Sequence, residues 1–163
     1  MQKVRQFTGI TGVLRPFREF IQETVTTPGT QIVYYGCAGT CTPFIELLAV
    51  SLRGLGFEQV FVPLLDEKKA RIIYEVPDVG MQINVLPAVL RPRFLVFMGG
   101  LAMPHMPVSK DDAQRIVMKH GDVIVIGVCF MNMFEKAGWP ETLEFDLLID
   151  GNLDPVTVTW SDR

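Results

Sequence analysis

The sequence is short of charge and of most residue types that announce a chemistry. Asp, Glu, Lys and Arg make up 20% of its 163 residues, the formal net charge is −3, histidine occurs twice and cysteine three times. Globular chains usually carry about 25% charge. A mildly acidic chain without a clustered Lys/Arg stripe lacks the electrostatic footprint of a nucleic-acid binder. The longest apolar stretch, residues 123–131, is interrupted by Gly127, whereas a bilayer-spanning helix needs about 20 apolar residues. No apolar segment follows the basic residues of 1–6, so a secretory signal is not expected. These absences point to a soluble, cytoplasmic protein with no membrane or nucleic-acid partner, whose three cysteines are free thiols. There is no C-x-x-C, no Walker A lysine and no G-x-G-x-x-G, which argues against a thioredoxin-type centre and a nucleotide hydrolase.

What is present is apolar. Hydrophobic residues make up 48% of the chain, enough to bury one core without staples, and residues 1–163 read as a single domain. With so little polar surface, a self-associating face and a homo-oligomer are expected.

The pattern along the chain alternates between helix and strand. Val13, Phe17, Phe20 and Ile21 follow helical spacing, with Pro16 expected in the first turn. Residues 31–35 are a β-branched and aromatic run, the composition of a buried strand. Thr42-Pro43 reads as N-cap and first helical residue of an almost wholly apolar helix reaching Leu55. That helix should be buried on more than one side, against the sheet and a second subunit. Strands are expected at 58–62, 94–98 and 122–128. The stretch between the first two is either a hairpin, 71–76 with 81–85, or a helix beginning after Asp66. Ser109 and Asp112 stand at capping-box spacing before a helix that Gly121 ends, and residues 132–137 suit a short helix. Alternation over 143–149 and again over 156–160, with Asp150-Gly151-Asn152 between, predicts a closing antiparallel hairpin. The sum is a three-layer α/β fold, Rossmann-like or flavodoxin-like, with a mainly parallel sheet and that C-terminal antiparallel hairpin.

In open α/β sheets ligands bind beyond the carboxyl ends of the strands, where strand order reverses. This selects residues 36–42, 99–107 and 129–138, which hold all three cysteines, one histidine and half of the methionines. The phrase Gly36-Cys37-Ala38-Gly39-Thr40-Cys41-Thr42-Pro43-Phe44, with Gly80-Met81-Gln82 and Gly99-Gly100-Leu101-Ala102-Met103-Pro104 downstream, resembles a family of uncharacterised archaeal proteins common in methanogens. The resemblance covers nearly the whole chain. It implies a cytoplasmic archaeal protein and supplies no catalytic residue.

The candidate ligand-binding residues are Gly36, Cys37, Ala38, Gly39, Thr40, Cys41, Thr42, Gly99, Gly100, His105 and Asn132. A strand–glycine turn–helix unit aims backbone N–H groups and a positive helix end at whatever sits above, so an anionic small molecule is one reading. A tight turn that lets strand and helix pack closely is the other. A thiol at a helix N-terminus can be reactive, yet small buried cysteines are common in such turns. Cys37, Cys41 and Cys129, joined by His105 or a methionine, could form a soft metal site, but C-x-x-x-C is not zinc-knuckle spacing and no metal is assigned. Met98, Met103, Met106, Met131 and Met133 read as adaptable packing around a pocket or contact surface. His105 is either a general base or a surface residue. His120 complements a helix end. Asp66, Glu67 and Glu135 read as solvated loop charge. No cofactor or reaction follows from these residues, and a non-catalytic homo-oligomeric interaction protein is the competing function.

Overall fold

The chain runs α1 (Thr11–Thr24), β1 (Gln31–Gly36), α2 (Thr42–Ser51), β2 (Glu58–Pro63), β3 (Arg71–Val76), β4 (Gly80–Pro87), β5 (Pro92–Met98), α3 (Lys110–His120), β6 (Ile124–Phe130), α4 (Met133–Lys136) and β7 (Leu147–Gly151). Short 3₁₀ turns stand at Glu67–Lys69, Gly99–Ala102 and Trp139–Glu141. This computed structural model describes residues 4–25 and 27–161; residues 1–3, part of the segment read for a secretion signal, lie outside them.

One seven-stranded sheet in the order β4-β3-β2-β1-β5-β6-β7 organises the molecule. The five strands from β2 to β7 in that row pair in parallel, and β3 and β4 join antiparallel beyond β2. Strand order reverses at β1, which is flanked by β2 on one side and β5 on the other. Every residue of β1 is buried, as a strand covered on both faces requires. Ile32, Tyr34, Phe94, Val96 and Ile126 point to one face, where Val13, Phe17, Ile21, Ile45 and Leu48 of α1 and α2 cover them. Val33, Tyr35, Leu95, Phe97 and Val125 point to the other, beneath Ala113 of α3, Phe134 of α4 and Trp139. Each such fully buried side chain contributes about 1.5–3 kcal/mol of transfer free energy.

The stretch left open between hairpin and helix is the hairpin β3–β4, paired from Val76↔Gly80 to Arg71↔Pro87. Ser109 and Asp112 form the expected capping box at α3, each side chain bonding the other's backbone N–H.

Several expectations are corrected. The C-terminal antiparallel hairpin does not form: β7 pairs in parallel with β6, and residues 152–161 belong to no strand. The reason lies in the would-be turn, because the Asp150 carboxylate turns back to accept the Asn132 N–H at 2.9 Å and the Cys129 thiol at 3.2 Å. The antiparallel edge is at the opposite side, in β3 and β4. Pro16 sits in the second turn, since α1 begins at Thr11. Thr42 is not the N-cap: Cys41 occupies that place, and the Thr42 hydroxyl accepts the Gly39 N–H at 3.2 Å. Helix α2 stops at Ser51, short of Leu55. Within the single chain Ile45, Leu48 and Ala49 are its buried residues, while Phe44, Leu47 and Val50 are half-buried.

Candidate functional site

Three parallel strands deliver their carboxyl ends to one rim: β1 at Gly36, β5 at Met98 and β6 at Phe130. Glycines let the following loops close tightly there. A Cβ on Gly36 would stand 2.7 Å from Cys41 Cβ, and one on Gly99 would stand 2.3 Å from Cys129 Cβ and 2.9 Å from its Cα. A Cβ on Gly100 would stand 2.3 Å from Cys41 Sγ and 2.7 Å from Cys37 Sγ. These are closer than real contacts, so only glycine fits without displacement.

Between the loops is a cavity of about 160 Å³, lined by Thr40, Cys41 and Phe44 after β1, Met98, Gly99, Gly100 and Met103 around the end of β5, and Val128, Phe130 and Met133 from β6 and α4. An engineered apolar cavity of about 150 Å³ takes up benzene. The Phe44 and Phe130 rings, 4.6 Å apart, close one wall. Among the described residues no charged side chain lines the cavity. Its chemistry is therefore apolar contact, the Thr40 hydroxyl and sulfur.

All three cysteines are free and buried. Cys37 Sγ lies 3.0 Å from Cys41 Sγ and 2.7 Å from Thr40 Oγ1. Burial, then the hydrogen bond with Cys37, pushes the Cys41 thiol up to about 12, against which the Gly100 N–H and the Cys37 backbone pull. Cys129 is likewise pushed up to about 12, by burial first and then by the Asp150 carboxylate that its thiol faces. It packs with the α3 and α4 face, whereas Cys37 and Cys41 pack with the α1 and α2 face. The soft metal set weighed from the sequence is therefore split by the sheet. Among the described residues no three His, Cys, Asp or Glu side chains are grouped to hold a metal ion.

Of the residues singled out from the sequence, Thr40, Cys41, Gly99 and Gly100 line the cavity. Gly36 and Cys37 lie buried behind it, and Thr42 opens α2. Ala38 and Gly39 are exposed on the loop. The fold does not bring His105 or Asn132 into the lining; both are exposed, with φ of 66° and 59°. Phe44, Val128 and Phe130 were not singled out, because a cavity-lining apolar residue has the same spacing as a core one. The methionine signal does carry over in part: Met98, Met103 and Met133 line the cavity.

A second cluster corrects the reading of Glu67 as solvated charge. Its carboxylate accepts the Tyr35 hydroxyl at 2.9 Å, lies 2.6 Å from His120 Nε2 and pairs with Lys119. Burial pushes the Glu67 carboxyl up, but the bonds from His120, Lys119 and Tyr35 outweigh it and hold it below the ordinary value. Tyr35 is held above its ordinary value by burial and then by the Glu67 charge. The network fastens the end of α3 to the segment after β2; the sequence separation of 53 residues between Glu67 and His120 hides it from local reading.

Fold and site together define an α/β protein with a mostly parallel sheet and a thiol-walled apolar cavity over its strand ends. Residues 8–154 match the family described as "Uncharacterized protein conserved in archaea (DUF2124)", and the chain belongs to that family. It is 32% identical over 151 residues to an uncharacterized protein of Methanocaldococcus jannaschii, covering 93% of this chain and 90% of the relative. It is 34% identical over 158 residues to an uncharacterized protein of Methanothermobacter thermautotrophicus, covering 94% and 96%. A crystal structure of a protein of unknown function from Methanothermobacter thermautotrophicus is similar with a TM-score of 0.81 and 31% identity, covering 98% of this chain and 99% of that one.

Proposed function

We propose that this protein binds a small molecule in the cavity over β1, β5 and β6, with an apolar portion inside and any anionic group at the mouth, facing the first turn of α2. The observation that carries this reading is the convergence of all three strand-end segments on one apolar cavity. Its place supports the reading further. The parallel strands run β2-β1-β5-β6-β7, the order of flavodoxin-like sheets, which hold ligands at the reversal point. An anionic group, as the sequence reading expects, suits the mouth better than the apolar lining, because Ala38, Gly39 and Thr40 are exposed there and the helix dipole favours negative charge. A cytoplasmic setting accords with the free thiols, and a binding role is as compatible with this cavity as an enzymatic one.

The test is a thermal-shift screen of benzene-sized compounds, each in a neutral and a carboxylate or phosphate form. At about 100 times its Kd a ligand adds about 2.7 kcal/mol of stability. The expected outcome is a raised melting temperature for the anionic forms, abolished in Met103→Trp, which fills the cavity. No shift with either form rejects the reading.

A second reading, a self-associating protein, has its own observation. Val156, Val158 and Trp160 alternate along the C-terminal segment and are 73%, 67% and 77% exposed. Light scattering before and after removal of residues 152–163 tests it: the full chain should be an oligomer and the shortened one a monomer. A monomeric full chain at high concentration rejects it.

A further inference from the structure

The sulfur pair behind the cavity wall supports a specific chemistry. Cys37 follows the last residue of β1 and Cys41 caps α2, and the Cys41 N–H donates to the Cys37 carbonyl at 3.1 Å, so one backbone turn holds both. Their sulfurs stand 3.0 Å apart. From across the rim, Gly100 brings its bare Cα against both sulfurs and its N–H against that of Cys41. Cys41 faces the cavity and Cys37 stands behind it. With no third His, Cys, Asp or Glu grouped beside them among the described residues, the pair cannot close a metal site. It can exchange electrons, because a disulfide bond of about 2.05 Å is reached by side-chain rotation from this separation.

We propose that Cys37 and Cys41 form a redox dithiol that exchanges with a small, uncharged disulfide admitted to the cavity. Burial holds the Cys41 thiol largely protonated, so its minor thiolate fraction, which grows with pH, attacks one sulfur of R–S–S–R; that S–S bond breaks, and the departing thiolate takes the proton that Cys41 gave up. The mixed disulfide Cys41–S–S–R occupies the cavity. The Cys37 thiolate then attacks Cys41 Sγ, expelling the second R–S⁻, which takes the Cys37 proton. The protein pair is oxidised by two electrons and the disulfide is reduced to two thiols; the reverse sequence regenerates the dithiol. Selectivity follows from burial. Cys37 is 6% and Cys41 3% exposed, so a disulfide too bulky for the cavity, or one that would carry its charge into the apolar lining instead of leaving it at the mouth, cannot reach them, whereas one held in the cavity gains the advantage of proximity. The inference rests on the cavity being a ligand site, since the disulfide enters there.

The experiment treats the full native chain with bis(2-hydroxyethyl) disulfide or oxidised glutathione, followed by acid quenching and peptide mass mapping. The expected result is a Cys37–Cys41 bridge forming on the order of tenfold faster with the small neutral reagent, by the proximity argument. Cys37→Ser should trap the mixed disulfide on Cys41, while Cys41→Ser leaves Cys37 unmodified. The wild-type chain decides the matter even if those variants fail to fold. A native chain that binds the apolar screening compounds yet forms no bridge, while the denatured chain forms it readily, overturns this inference alone. Bridge formation at equal rates with both reagents, and unaltered in Met103→Trp, overturns the cavity route and the ligand reading with it.

Discussion

Glycine at 99 and at 100 does different work in adjacent positions, and substitution separates the two. A methyl group on Gly100 meets only the sulfur atoms of Cys41 and Cys37, which can rotate away. One on Gly99 meets the Cβ and Cα of Cys129, which lie on β6 and cannot move without the strand. Overpacking costs about 1–3 kcal/mol and more where backbone must shift. Gly100→Ala should therefore lose about 1–2 kcal/mol and Gly99→Ala distinctly more, read as urea midpoints. Equal losses would mean that the loop, and not β6, yields at Gly99. The rule that ligands bind beyond the carboxyl ends of parallel strands selects this region in the sequence, and its glycines and cysteines with it. Val128 and Phe130 carry no mark of their own. Nothing in an unbroken apolar strand tells which residues fill the core and which face an empty space.

Contacts between elements account for both the successes and the failures of reading this fold from its sequence. Local chemistry is legible in part: the α3 capping box is specified within four residues, whereas the pattern over 71–85 suits the hairpin β3–β4 and a helix after Asp66 alike, and the structure decides for the hairpin. Ser109→Ala should cost about 1 kcal/mol by loss of the N-cap bond. Non-local bonds were not legible. Alternation over 143–149 and 156–160 describes strands without naming their partners, and the Asp150 carboxylate is drawn to Cys129 and Asn132. Glu67 is the same case, with partners on β1 and α3. Because its carboxyl is held below the ordinary value, the stability it confers is fully present above the unfolded value of about 4.3 and is lost as pH falls through the lower folded value. Glu67→Gln should cost about 1–3 kcal/mol at pH 7. As pH falls through that lower folded value the two proteins should converge in urea midpoint. A gap that stays constant with pH would mean that Glu67 acts through packing and not through charge.

At the scale of the whole molecule, the sheet order decides what the loops can do. The reversal at β1 sets β5 beside it and β6 beyond, so segments 30 or more residues apart in the chain meet at one rim. No single sequence reveals that order, although alternating strands and helices made a parallel sheet readable. The same scale governs the chain ends. Removal of residues 152–163 should leave the melting temperature within a few degrees, since no side chain of Val156, Val158 or Trp160 is buried. A large drop in a chain that light scattering shows to be monomeric at full length would mean that the segment supports its own fold.

The most direct measurement is a methyl NMR titration of the native chain with the best anionic compound from the thermal-shift screen. A ligand seated over the three strand ends should shift the methyl signals of Met98, Met103 and Met133 together with that of Val128, saturating at one Kd, and leave Met118 on α3 unmoved. Shifts confined to a single loop, or a response at Met118 without one at Val128, would contradict a shared binding cavity.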